Sequence, residues 1–146
     1  MELQPKIVDT PEGLEAFRTL LKTSGLPYQD LNFKDHILVG YYDNDELVGT
    51  GGLEVYDGYA LLRSLAVKLG ARGMSLGSAI TKDLIEQAKK NKLNGIYLLT
   101  ETARGFFLLK GFKDVMRDQV PEGVRASSEF SHVCSTTAAC LFLRLN

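Results

Sequence analysis

Cysteine is scarce. Cys134 and Cys140 are the only two in 146 residues, too few and too irregularly placed for a disulfide framework or a CxxC redox pair, so free thiols are expected. Histidine is equally sparse: His132 lies two residues before Cys134, but the other histidine is the distant His36. A zinc site would lack two ligands at suitable spacing, and no metal is expected. Long apolar runs are missing too. No window approaches the roughly 20 apolar residues that span a bilayer, and "MELQPKIVDT" has no basic region followed by an apolar stretch. An excess of one charge is also missing, with 17 Lys plus Arg against 18 Asp plus Glu. Without a basic concentration to meet a phosphate backbone, nucleic acid is not an expected partner. These absences predict a soluble, cytoplasmic protein. No repeat, low-complexity segment or linker divides the chain, which predicts one domain over 1–146.

What is present is a patterned chain, 45% hydrophobic and long enough for one core of two packed layers. "TPEGLEAFRTLLKTSG" offers Thr10 as an N-cap and Pro11 at the first helical position. It carries Leu14, Phe17, Leu20 and Leu21 on one face and stops at Gly25. The apolar runs that follow are broken at "DND" and "DG", both hairpin chemistry, which predicts antiparallel strands over 36–43, 46–56 and 59–67. From Ser75 the positions Leu76, Ala79, Ile80, Leu84, Ile85 and Ala88 keep a 3.6-residue period, so a central helix runs to near Asn91. "GIYLLTE" reads as a buried strand and "ARGFFLLKGF" as a short helix stopped by Gly111. A strand near 112–117, a helical turn opened by Pro121 and a last strand at 138–145 complete the reading. The expected fold is α+β, with a mixed, mostly antiparallel central sheet flanked by helices, in the order β-α-β-β-β-α-β-α-β-(α)-β.

The stretch "LAVKLGARGMSLGSAI" crowds Gly70, Gly73 and Gly77 with Arg72 between a strand and a helix. A Walker A loop would need a lysine directly after the last glycine, and Ser78 stands there. A dinucleotide fingerprint needs G-x-G-x-x-G and a parallel crossover, while these glycines are three and four apart behind a meander. The third reading is a pyrophosphate held by loop and first-turn N–H groups, the helix dipole and Arg72. The bland alternative is a glycine-rich connection that only starts a helix.

"LLRSLAVKLGARGMSLGSAI" resembles the acyl-CoA-binding segment of the GNAT superfamily of N-acyltransferases, whose Q/R-x-x-G-x-G/A signature falls here on Arg72, Gly73, Met74, Ser75, Leu76 and Gly77. Its fourth position is Ser75 where glycine is usual, which sets a Cβ and a hydroxyl beside the diphosphate. "LLTETARGFFLLKGF", "VPEGVRASSEF" and "VCSTTA" further resemble the N-acetyltransferases of arsenic-resistance operons and, more distantly, the acetyltransferase domain of N-acetylglutamate synthases. Ser135 stands where those relatives more often have proline.

The resemblance implies an acetyl-CoA-dependent N-acetyltransferase in which the acceptor amine attacks the thioester directly. It implies that Leu65, Ala66 and Val67 lie along the pantetheine, with the Leu65 N–H facing the thioester carbonyl as oxyanion donor. It assigns the rest of the donor site to Arg72, Gly73, Met74, Ser75, Leu76, Gly77, Ser78, Phe106, Phe107 and Lys110. Many relatives place a tyrosine, the acid for the leaving thiolate, where Phe107 stands here. Solvent or Thr100 would supply that proton, a tolerable loss because a thiol pKa is about 8.5. Glu54 and Glu101 are candidates for a water-mediated base, each against the plain reading of a solvated or salt-bridged carboxylate. Arg63 shares its strand face with Leu61, Leu65 and Val67 in this reading and needs a partner there, either a glutamate or an acceptor carboxylate. Arg125 and Glu129 are four apart, so an exposed ion pair stands against a role in closing over the acceptor. The expected acceptor is a small-molecule amine, an amino acid or its analogue; the alternative is a catalytically degenerate acyl-CoA-binding or sensing module. A last strand at the sheet edge would leave room for a homodimer.

Overall fold

Thr10 caps the first helix as its side chain suggests. With extended backbone at φ −130°, its hydroxyl accepts from the Gly13 N–H at 3.0 Å, and Pro11 opens α1 (Pro11–Thr23). The computed structural model describes residues 3–71, 75–127, 130 and 138–146. Strand β1 (Gln4–Ile7) precedes that helix, and β2 (His36–Asp43), β3 (Glu46–Tyr56) and β4 (Tyr59–Val67) follow it. Two tight turns join these three strands: Asn44 at φ 55° in the first, Asp57 at φ 49° and Gly58 at φ 89° in the second. Positive φ at the centre of a two-residue loop matches the right-handed twist of the strands it joins.

Then come α2 (Leu76–Lys90), β5 (Gly95–Thr100), α3 (Arg104–Leu109), β6 (Lys113–Asp114), α4 (Glu122–Arg125) and β7 (Ala139–Arg144). The sheet has the order β1-β2-β3-β4-β5-β7-β6. Strands β1–β2, β2–β3, β5–β7 and β6–β7 pair antiparallel, and β4 pairs parallel with β5 over Tyr59–Leu61 and Gly95–Tyr97.

Two expectations need correcting. The last strand is not at the sheet edge: β6 pairs Lys113 with Phe142 and Asp114 with Leu141, which places β7 inside. The strand expected near 112–117 is itself only two residues long, because the chain turns into a 3-10 helix at Arg117–Gln119.

The chain divides into two compact units, Met1–Glu54 with Leu62–Gln87, and Val55–Leu61 with Ala88–Asn146. In the first, Val8, Phe17, Leu21, Leu31, Leu38 and Ala66 form a buried cluster. Helix α2 lies close against β3 there because β3 is glycine-rich. A Cβ built at Gly49 would meet Ile80 Cδ1 at 2.5 Å, and one at Gly51 would meet Leu84 Cδ1 at 2.6 Å. Tyr41, 1% exposed, ties strand to helix by donating to Asp83 Oδ2 at 2.6 Å. In the second unit, Leu61, Tyr97, Val120, Val124 and Cys140 are the buried centre. Gly95 leaves room there for the Phe142 ring, which would lie 2.3 Å from an added Cβ.

Candidate active site

Strand β4 is regular until Ser64, where φ turns to 61° inside a buried stretch. A left-handed serine in mid-strand is strained, and a strand that accepts it must hold it from outside. Two side chains do so. Thr50 Oγ1 on β3 donates to the Ser64 carbonyl at 2.8 Å, and Arg63 Nε donates to Ser64 Oγ at 3.3 Å. The turn at Ser64 interrupts strand alternation, so the face shared by Leu61, Arg63, Leu65 and Val67 in the sequence reading does not continue through it. Arg63 is 3% exposed and Ala66 is buried, whereas Leu65 and Val67 are half-buried.

After β4, Lys68 donates its N–H to Val48 O at 2.8 Å and a 3-10 turn covers Leu69–Ala71. Gly70 is exposed, and a Cβ added there would meet nothing within 4 Å. Its glycine is therefore not required by space. Arg72, Gly73 and Met74 lie outside the described residues. Ser75 is exposed and left-handed at φ 59°, a conformation glycine adopts without strain. Helix α2 starts directly after it: Ala79 N–H bonds Ser75 O at 3.2 Å. The N–H groups of Leu76, Gly77 and Ser78 thus precede the first intrahelical bond and have no acceptor within the helix. No acidic residue stands in that first turn, and Gly77 and Ser78 are half-buried. The positive end of the dipole, with N–H groups unused within the helix and no carboxylate in its first turn, suits a phosphate.

Glu54 and Arg63 belong to a buried polar chain that the sequence did not reveal. Arg63 forks onto Asp30, Nη1 to Oδ2 at 2.6 Å and Nη2 to Oδ1 at 2.9 Å, and Nη1 also reaches Glu54 Oε1 at 3.4 Å. His36 Nε2 lies 2.7 Å from Glu54 Oε2, and its Nδ1 accepts from the Asn32 N–H at 3.5 Å. The Arg63 side chain is 0% exposed and that of Glu54 5%, but that of Asp30 is 31% exposed. A guanidinium so buried is tolerable only because its donors meet carboxylates. The parity of "LLRSL" told that Arg63 needs a partner; nothing in the loop "PYQDLNF" marks Asp30 as that partner.

In the second unit, Thr100 Oγ1 accepts from the Ala103 N–H at 3.0 Å at the entry to α3, and Glu101 is exposed. Phe107 is 5% exposed and meets Phe106 and Phe112 edge-on, at centroid distances of 5.0 and 5.5 Å. Phe106 is half-buried, with Lys110 Nζ 5.3 Å from its ring centroid. Arg125 is exposed on α4, and Glu129, His132 and Cys134 lie outside the described residues. Cys140 is 6% exposed, and burial pushes its thiol pKa up against the opposing pull of Arg117. Among the described residues no group of three or more His, Cys, Asp or Glu could hold a metal ion, and no helix is long and apolar enough to cross a membrane.

Residues 9–112 match the family model described as the acetyltransferase (GNAT) family. The fold is similar to that of N-acetylglutamate synthase from Neisseria gonorrhoeae complexed with coenzyme A and N-acetyl-glutamate, at 15% identity and a TM-score of 0.80, covering 100% of this chain and 36% of that one. It is also similar to an acetyltransferase of the GNAT family from Staphylococcus aureus Mu50, at 17% identity and a TM-score of 0.77, covering 99% and 100% of the two chains. The ribosomal-protein-S18-alanine N-acetyltransferase from Escherichia coli matches at 15% identity and a TM-score of 0.76, covering 99% and 95%. At such identities the likeness is one of fold. The chain spans little more than a third of the length of the N-acetylglutamate synthase it matches.

Proposed function

The chain belongs to the GNAT family of acetyltransferases, and from that premise we propose that it moves an acetyl group from acetyl-CoA to the amine of a small molecule, an amino acid or an analogue of one. The observation that carries the reading is the start of α2. A left-handed Ser75 leads into a first turn whose N–H groups have no acceptor within the helix and which holds no acidic residue. In this reading the diphosphate of CoA lies against Ser75, Leu76, Gly77 and Ser78, with Arg72, Gly73 and Met74 completing the loop. The pantetheine runs along Leu65, Ala66 and Val67. Phe106, Phe107 and Lys110 are assigned to the same donor, Phe107 from the core side.

The amine attacks the thioester carbonyl, its oxygen takes the developing negative charge beside the Leu65 N–H, and the C–S bond then breaks to release CoA thiolate. Thr100 keeps its own hydroxyl proton while it accepts from Ala103, so it can relay a proton to that thiolate. The water-mediated base is assigned to exposed Glu101 ahead of Glu54, which is tied to His36 and Arg63. With Arg63 forked onto Asp30, an acceptor carboxylate would have to displace Asp30 to reach it. Exposed Arg125 on α4 is then the better candidate for that carboxylate, in a segment that with Glu129 would close over the acceptor.

The test is thiol release from acetyl-CoA across the amino acids and their phosphonate and arsenic-bearing analogues, the latter chosen for the likeness to arsenic-resistance enzymes, with CoA affinity measured by calorimetry. Saturable turnover on a member of that panel supports the proposal. Tight CoA binding without turnover on all of it would instead favour an acyl-CoA-binding module. Phe107, buried where many relatives carry a tyrosine hydroxyl, favours that second reading.

A further inference from the structure

The Ser64 carbonyl and the Leu65 N–H are the two ends of one planar peptide group. The structure contains no cis peptide bond among its described residues, so in this group C=O and N–H point in opposite directions. Thr50 Oγ1 holds the carbonyl end at 2.8 Å from β3. The N–H end is thereby aimed away from β3, and it cannot rotate without breaking that bond. Thr50 is 0% exposed and Ser64 8%, so water does not substitute for the hydroxyl, and a lost bond leaves a buried carbonyl unsatisfied. A second restraint acts on the same residue, since Arg63 Nε holds Ser64 Oγ while Arg63 is itself anchored by Asp30 and Glu54. Ser64, which pays for its left-handed φ in strain, has no reason of its own to keep that conformation.

We propose that Thr50 is a positioning residue for the reaction: its hydroxyl, bonded to the Ser64 carbonyl, sets the direction of the Leu65 amide that serves as oxyanion donor. Arg63 completes the latch through Ser64 Oγ. The inference rests on the acetyltransferase reading for the role of Leu65, whereas the latch is a property of the backbone with its own readout. A hydroxyl bonded to the carbonyl also polarises the peptide and strengthens its N–H as a donor.

Thr50→Val keeps the β-branched shape and removes the bond, and Thr50→Ser keeps the hydroxyl. With the acceptor that turns over fastest, Thr50→Val is expected to lower kcat about 10–100-fold, as for a misaimed oxyanion donor. KM for acetyl-CoA and the CoA Kd are expected to stay within about threefold, because the diphosphate contacts at α2 are untouched. Thr50→Ser is expected to restore kcat. Tyr41→Phe is the control for plain destabilisation, since it removes another buried hydrogen bond in the same unit; its kcat should match the wild type. The backbone 13C shifts of Ser64 report the latch without turnover, and in Thr50→Val they should leave the left-handed range. Unchanged Ser64 shifts in Thr50→Val would overturn the proposal whether or not any acceptor is acetylated, and so would an equal loss of kcat in Tyr41→Phe. A wild-type protein that neither binds CoA nor turns over defeats the acetyltransferase reading, and with it the role of Leu65, but not the latch that the shifts measure.

Discussion

Ser75→Gly should stabilise this protein. Ser75 sits at φ 59°, where an L-residue carries roughly 1–2 kcal/mol of strain from its Cβ against the following carbonyl. Glycine removes the Cβ and adds about 0.5–1 kcal/mol of backbone entropy to the unfolded chain, which works in the opposite direction. The side chain is exposed, so truncating it forfeits little packing. The difference is a gain of about 0.5–1 kcal/mol, which in a chain of this size raises Tm by roughly 1–4 °C. Ser75→Ala keeps the strain and should gain nothing, and Ser75→Val adds β-branching and should fall below the wild type. Thermal unfolding followed by circular dichroism on all three decides it. The same variants titrated with CoA test the donor site: with backbone N–H groups as ligands, Ser75→Gly should bind within about threefold of wild type, because the backbone already holds the glycine-like conformation. A Ser75→Gly protein that melts no higher than Ser75→Ala would refute the reasoning, since it would mean that residue 75 is not left-handed in solution.

Tyr41→Phe should lose about 1–2 kcal/mol with the Asp83 bond, read as a lower urea midpoint. Burial and the Asp83 carboxylate hold the Tyr41 phenol pKa far above its ordinary value. The folded state therefore keeps a proton that the unfolded chain gives up near pH 10, so this contribution is intact below pH 10 and declines above it. Tyr41→Phe should flatten that alkaline decline. Gly95→Ala places a methyl 2.3 Å from a Phe142 ring atom and 3.0 Å from the Leu143 carbonyl; an overpacking loss of about 1–3 kcal/mol or more is expected in denaturant unfolding, and Phe142→Leu in the same chain should recover part of it. Arg63→Met takes the guanidinium from the buried Glu54 carboxylate and should destabilise by about 3–5 kcal/mol, and Asp30→Ala, which strips both short bonds from a fully buried guanidinium, should cost a comparable amount.

Hairpins and helices were legible because their signals are local. "DND" and "DG" fix strand ends through the positive φ of Asn44, Asp57 and Gly58, and Thr10 and Pro11 fix a helix start through one bond and one ring. β6 is shorter than its sequence pattern predicts and β7 lies inside the sheet because strand neighbours are set by pairing across the sheet, which no local pattern encodes. The turn before α2 reads in the sequence as a candidate anion cradle, and its glycines do not all carry that reading. Gly70 needs no glycine, and among the described residues of the turn the left-handed one is the serine that departs from the family signature.

The polar chain from His36 to Asp30 was illegible for a different reason. Its members are 6 to 33 positions apart, and each looks ordinary where it stands. Periodicity could say that a charge at 63 on an apolar strand must be answered; it could not say by what. Alternation then misled at the next step, because Ser64 breaks it, and only a side chain on another strand makes that break affordable. Thr50, which holds the Ser64 carbonyl, sits in "VGTGGL", where a threonine among glycines reads as nothing more than strand propensity. A strained backbone and its restraint are encoded in different strands, so the bond from Thr50 to the Ser64 carbonyl becomes visible only when β3 and β4 are seen side by side.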